Sequence, residues 1–194
     1  MSKPDVFVFA GGRSSRMGHD KALLSIGGRT LLDRIVAAAR PVARRIVLVG
    51  RDGDEHGLAW LPDERPGLGP LAALETALQA AESELALALA CDLPFVSTAL
   101  LAHLVARAAE TPDRLVVPDD ASGRQAWLCI VVPTSLRPIV TRLLDAGERR
   151  PRALAEQVAV RSVPFAEYAH LPDAERLLVN VNTPEELAAA RRSR

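Results

Sequence analysis

The sequence predicts a three-layer α/β fold: a mostly parallel sheet covered by helices on both faces. Apolar runs without polar alternation, such as residues 6–10 and 85–90, suit central strands buried on both sides. Stretches with helical capping and stop signals follow these runs, and the alternation of the two recurs along the chain. The 194 residues give one such domain a sizeable core, and no repeat, low-complexity tract or linker composition divides them.

Residues 6–10 are the expected first strand. Residues 31–40 read as a helix, capped by Thr30 with Asp33 and stopped by Pro41. Residues 45–49 form a second strand, 62–70 a loop rich in Pro and Gly, 71–81 an Ala-rich helix and 85–90 a third strand. Ser97 caps a helix running to about Ala109, and 115–117 is another strand. Residues 126–132 suit a strand facing core on both sides, and 135–145 a helix in which Pro138 threatens a kink. Thr183-Pro184-Glu185-Glu186 is a capping box that opens a C-terminal helix.

Lys+Arg and Asp+Glu balance at 24 each, which leaves no global field for nucleic acid. No apolar stretch reaches the length of a membrane span, and the start MSKPD lacks a signal-peptide core, so the chain is expected to be cytoplasmic. Cys91 and Cys129 have no metal-ligand spacing and read as small buried apolar residues.

In parallel sheets ligands sit at the carboxyl ends of strands, so the residues after each apolar run are the candidates. After the first strand come Gly11, Gly12, Arg13, Arg16, Gly18, Asp20 and Lys21, a loop whose backbone N–H groups and cations suit a polyphosphate. Gly11-Gly12-Arg13 breaks the dinucleotide fingerprint, and His19-Asp20 separates Gly18 from Lys21, so the phosphate-loop pattern fails too. The chain has two lysines, Lys3 in the N-terminal tail and Lys21 in this loop, against a background of arginine. Lys21 is expected to stand exposed in the crevice. Gly50-Arg51-Asp52-Gly53 follows the second strand and Cys91-Asp92-Leu93-Pro94 the third. Spacing alone leaves Asp92 either as a Mg²⁺ carboxylate or as a turn cap. Asn180 and Asn182 are the only asparagines, and at alternate positions of an extended segment their amides share one side.

Taken together, A-G-G-x-x-x-R-M-G-x-D-K at 10–21, D-x-x-P-G-x-G-P-L at 63–71, C-D-x-P at 91–94 and N-x-N-T-P at 180–184 resemble the molybdenum cofactor guanylyltransferase family of MobA-like nucleotidyltransferases. The resemblance implies a Rossmann-like nucleotidyltransferase fold, one domain over 1–194. It implies Mg²⁺-dependent transfer of GMP from GTP to the phosphate of molybdopterin, with release of pyrophosphate. It places Phe9, Ala10, Gly11, Gly12, Lys21, Arg51, Asp63, Gly69, Asp92, Asn180 and Asn182 in the binding site, with backbone N–H groups near 10–12 holding the nucleotide. Lys21, Arg16 and Asp92 are implied as catalytic and Asp92 as the metal ligand. Asn180 and Asn182 are implied on the pterin side, opposite the glycine loop. Arg16, Arg124 and Arg149-Arg150 are candidates for the pterin phosphate, the last pair reading strongly as a solvated helix end.

The chain departs from the family pattern at Phe9 (usually Leu), at Ala73 (often Gly) and at Arg51, where an asparagine commonly contacts the nucleotide. The implied partners are GTP, molybdopterin, and molybdoenzyme apoproteins or other cofactor-biosynthesis proteins, with no nucleic acid and no membrane. The first loop and Gly69-Pro70-Leu71 look more like the guanylyl- than the cytidylyl-transferring branch. Two alternatives remain open: a relative using CTP or another phosphorylated acceptor, and a non-catalytic nucleotide-binding protein that delivers cofactor.

Overall fold

The computed structural model describes residues 3–11, 21–51 and 57–192. Its sheet has seven strands: β1 (Asp5–Phe9), β4 (Arg45–Val49), β5 (Ala59–Leu61), β6 (Leu85–Ala90), β7 (Leu115–Pro118), β8 (Cys129–Pro133) and β9 (Val160–Val163). A small hairpin, β2 (Ser25–Ile26) and β3 (Arg29–Thr30), stands apart. The helices are α1 (Leu31–Ala39), α2 (Pro70–Ala80), α3 (Thr98–Glu110), α4 (Arg137–Asp145) and α5 (Pro184–Arg192).

The strand order is β5-β4-β1-β6-β8-β7-β9, parallel except for β8, which runs antiparallel to both neighbours. The apolar runs explain the layering, because successive side chains of a strand face opposite sides. Val6, Val8, Leu48, Leu87 and Leu89 pack with α1 and α3. Phe7, Phe9, Val47, Ala86 and Ala88 pack with α2 and α4. Each fully buried Leu or Phe in these layers contributes about 1.5–3 kcal/mol of transfer free energy. A third, smaller cluster of Ile26, Leu31, Val181, Leu187 and Ala190 joins the hairpin to α5.

The local signals read from sequence act as expected at most helix ends. Thr30 Oγ1 accepts from the Asp33 N–H at 3.0 Å, and Asp33 Oδ2 accepts from the Thr30 N–H at 3.3 Å. Ser97 Oγ accepts from the Leu100 N–H at 3.2 Å. Pro138 differs from expectation. A short 3₁₀ turn, Thr134–Leu136, comes first, so α4 opens at Arg137 and Pro138 falls in its first turn, where no intrahelical N–H is lost and no kink follows. The eighth strand starts at Cys129 rather than 126, because the Ala126 N–H turns to the Pro118 carbonyl.

Asp5, fully buried at the start of β1, is the charged anchor of the far edge of the sheet. Its Oδ1 accepts from Arg44 Nε at 2.8 Å and its Oδ2 from the Glu82 N–H at 2.7 Å, with Arg45 at 3.2 Å. Burial alone raises its carboxyl, but Arg44, the Glu82 N–H and Arg45 outweigh that and hold it below the ordinary aspartate value. Its contribution to stability is therefore complete above the ordinary carboxylate value and is lost as pH falls through the lower folded value. Asp5→Ala is expected to cost about 1–3 kcal/mol at neutral pH, with the gap to wild type closing in acid melts. Thermal denaturation across pH measures both.

Candidate active site

Register places the ligand edge. Phe9 pairs with Val49 and with Ala90, and Val49 with Leu61, so the segments starting at Ala10, Gly50, Pro62 and Cys91 all emerge at one edge. From β1 the chain builds outward to β4 and β5, then crosses to β6 on the other side of β1. The switch in winding direction lies between β1 and β6, which is where an open α/β sheet leaves a crevice. Gly11 and Asp92 flank it.

Three distant pieces of sequence meet there. Lys21 Nζ donates to Asp92 Oδ2 at 2.8 Å and to Asn182 Oδ1 at 2.7 Å. The side chains of Lys21 and Asp92 are only 16% and 14% exposed, so Lys21 is partly enclosed and ion-paired rather than standing exposed. Lys21 opens a 3₁₀ turn, Lys21–Leu23, whose start faces the end of β6. Asp92 is not the cap of α3, a role Ser97 takes. Its Oδ1 is buried and has no hydrogen-bond partner among the described residues.

The Asn180–Asn182 segment runs alongside. The Val181 N–H donates to the Asp92 carbonyl at 2.9 Å and Val181 is fully buried, while both asparagines are exposed, as alternation requires. Asn182 meets the last residue of the first loop, its amide oxygen accepting from Lys21 Nζ. The capping box of α5 is present: Thr183 Oγ1 accepts from the Glu186 N–H at 3.2 Å and Glu186 Oε2 from the Thr183 N–H at 3.1 Å.

Other expected residues need correction. The Ala10 and Gly11 N–H groups both donate to the Val49 carbonyl at 3.1 Å, so they point into the sheet and not at a ligand. Phe9 buries its side chain in the cluster under α2, which leaves only its backbone at the edge. Gly11 matters for space: a Cβ there would lie 2.8 Å from the Gly50 Cα, a backbone atom that cannot swing away. Gly11→Ala is expected to destabilise the fold by about 1–3 kcal/mol through this clash, measurable by urea unfolding.

Arg51 is half-buried just past Gly50 at the same edge. Asp63 is half-buried two residues beyond β5, and its Oδ1 accepts from the Arg65 N–H at 3.1 Å, closing an Asx-type turn. Gly69, at φ 82°, precedes α2, and the Leu71 N–H donates to the Arg149 carbonyl at 3.2 Å. The Arg149-Arg150 turn thus leans on the Gly69 loop. Arg149 donates to the Leu144 carbonyl at 3.1 Å, the helix-end role, and Arg150 pairs with Glu148. Arg150 and the two backbone N–H groups hold the Glu148 carboxyl down at about 2. Arg124 is 83% exposed and pairs with Asp120. Gly12, Arg16 and residues 13–15 and 17–20 lie outside the described residues.

Sequence reasoning missed the clamp on the 63–69 loop. Arg65 Nε meets the buried Glu75 of α2 at 2.9 Å, and its Nη1 meets Asp145 of α4 at 2.7 Å. Nothing in an Ala-rich helix marks Glu75 as inward. Burial pushes the Cys129 thiol up to about 12, which agrees with its reading as an inert core residue.

Residues 6–162 match the family model of the MobA-like NTP transferase domain. A probable molybdenum cofactor guanylyltransferase of Carboxydothermus hydrogenoformans is 34% identical over 189 residues, covering 96% of this chain and 94% of that one. The protein of the same name from Mycobacterium tuberculosis is 35% identical over 190 residues, covering 94% and 90%. Among solved structures, molybdopterin-guanine dinucleotide biosynthesis protein A of Archaeoglobus fulgidus superposes with a TM-score of 0.82 at 22% identity, covering 96% of each chain. The 2-C-methyl-D-erythritol 4-phosphate cytidylyltransferase of Thermus thermophilus gives 0.71 at 22% identity, covering 98% of each. At those identities the two structures speak for the fold.

Proposed function

The chain belongs to the MobA-like NTP transferase family, and from that premise we infer that it is a molybdenum cofactor guanylyltransferase. GMP passes from GTP to the phosphate of molybdopterin, pyrophosphate leaves, and molybdopterin guanine dinucleotide forms. The observation that carries this reading is the convergence of Lys21, Asp92 and Asn182, one residue from each of three motifs, at the switch point of the sheet.

A phosphate oxygen of molybdopterin attacks the α-phosphorus of GTP as the bond to the β-phosphate breaks. That nucleophile is already anionic, so the chain supplies positioning and charge rather than a general base. Lys21 is the cation of the site. It rests on Asp92 and Asn182 and turns toward phosphate oxygens when the triphosphate arrives. Asp92 suits a hard divalent cation, because its Oδ1 is buried and has no hydrogen-bond partner among the described residues. One carboxylate is enough for Mg²⁺, which takes its other ligands from phosphate and water. Bound there, Mg²⁺ would neutralise charge on the triphosphate. Arg16 and Gly12 are proposed beside the phosphates, and Arg51, Asp63 and Gly69 beside the nucleoside, since they share the edge of β4, β5 and α2. Asn180, exposed next to Asn182, is proposed for the acceptor.

No helix among the described residues is long and apolar enough to cross a membrane. We place the reaction in the cytoplasm, with residues 1–194 acting as one nucleotidyltransferase domain and handing product to apoproteins of molybdoenzymes. Pyrophosphate release with each of the four NTPs, with and without molybdopterin, tests the reading. Release is expected with GTP only when molybdopterin is present. Release with CTP instead would assign the chain to a different transfer, and nucleotide binding with no release would make it a carrier.

A further inference from the structure

We propose that Glu186 is a positioning residue of the active site, acting on Lys21 through Asn182. The capping box of α5 requires only that Glu186 reach the Thr183 N–H and that Thr183 reach the Glu186 N–H. Here the carboxylate does more. The same oxygen, Glu186 Oε2, also accepts a short hydrogen bond from the Asn182 N–H, one residue outside the cap. Asn182 is the residue whose amide oxygen holds Lys21 Nζ at 2.7 Å.

Asn182 is exposed, so packing alone does not fix it. It is pinned from both flanks instead. On one side Val181 is buried in the small cluster with Ile26 and Leu187, and its N–H is bonded to the Asp92 carbonyl. On the other side the Glu186 carboxylate holds the N–H groups of 182 and 183 together. The result is an unbroken path: Glu186 to the Asn182 backbone, the Asn182 amide to Lys21, and Lys21 to Asp92. A lysine side chain has many rotamers, so an acceptor aimed at its tip helps to decide where the charge waits. A negative carboxylate in the first turn of α5 is also favourable to that helix, which is why the residue reads from sequence as a cap and nothing else.

The test separates these two roles. Glu186→Ala is expected to lower kcat about ten-fold with the KM for GTP little changed, the signature of a misplaced charge rather than lost binding. Glu186→Gln keeps an oxygen acceptor for both N–H groups and is expected to restore most of that kcat. Thr183→Ala weakens the helix cap but leaves the Glu186–Asn182 bond, so the melting temperature falls while kcat holds. The kinetic arm rests on the guanylyltransferase reading, and a second arm does not. The sequence holds two lysines, Lys3 and Lys21, so isotope-labelled lysine gives an ammonium signal for Lys21 that is read directly by NMR. That signal is expected to be protected from exchange in wild type and Glu186→Gln, and to shift and exchange faster in Glu186→Ala, where the Asp92 pair alone holds the ammonium. An unchanged Lys21 signal in Glu186→Ala overturns the proposal, as does an equal fall of kcat in Thr183→Ala. If wild type transfers no nucleotide, the functional reading fails, and the Lys21 signal alone decides the role of Glu186.

Discussion

Asp92→Asn is expected to reduce nucleotidyl transfer about 10³-fold while leaving the fold intact. The substitution keeps the shape of the side chain and an oxygen that accepts from Lys21 Nζ, now 2.8 Å from Oδ2. It removes the negative charge and turns one carboxylate oxygen into a donor. The buried Oδ1, with no partner among the described residues, is then no longer available as an anionic ligand. Stability is expected to fall by about 1–3 kcal/mol in the absence of nucleotide, because the Lys21 ammonium, 16% exposed, keeps a hydrogen-bond acceptor but loses its carboxylate partner. Transfer assayed over a range of Mg²⁺ concentrations checks the assignment. A variant with wild-type activity and wild-type magnesium dependence would show that the metal sits elsewhere.

Lys21→Ala is expected to lower turnover about 10²-fold, the scale of losing one preorganised charge stabiliser. The structure adds a stability effect that the exposed-lysine expectation does not contain. Removing Lys21 leaves the Asp92 carboxylate, 14% exposed, without the cation that pairs with its Oδ2. A cost of about 1–3 kcal/mol follows, seen as a lower melting temperature in the absence of nucleotide. Lys21→Arg separates the two effects. It returns a cation to Asp92 and most of the stability, but a planar fork does not replace a point charge at a phosphate, so turnover stays low. Near-normal turnover in Lys21→Ala would remove Lys21 from the mechanism.

The sheet was legible in the sequence where strands are buried on both faces. Apart from Asp5 and Arg45 at their starts, β1, β4 and β6 are continuous apolar runs, and their expected limits agree with the structure to within a residue. The caps at Thr30, Ser97 and Thr183 were legible because each uses a side chain on its own neighbours. β5 and β9 were not. Ala59–Leu61 is three residues long, and Val160–Val163 carries Arg161 and Ser162 inside it, so neither offers a clear period. Both are edge strands, whose pairing is decided by the sheet they join rather than by their own pattern.

At the site, Lys21, Asp92 and Asn182 stood out by rarity, by strand-end position and by motif. Their contact spans 71 and 161 positions and appears only when the crossover from β5 to β6 brings the segments together. The direction of the Ala10 and Gly11 N–H groups was not legible for a related reason. The close approach of Gly11 to Gly50 lets β4 claim both donors, and no local pattern reports that.

Guanylyl transfer is tested most directly by following the phosphorus. GTP labelled at the α-phosphate and GTP labelled at the γ-phosphate are each incubated with the protein, Mg²⁺ and molybdopterin, and the label is located by chromatography. The α-label is expected to enter the pterin product together with guanosine, and the γ-label to leave entirely as pyrophosphate. Label from the γ-phosphate on the pterin, or α-label remaining in unreacted nucleotide at every enzyme concentration, would contradict guanylyl transfer by this chain.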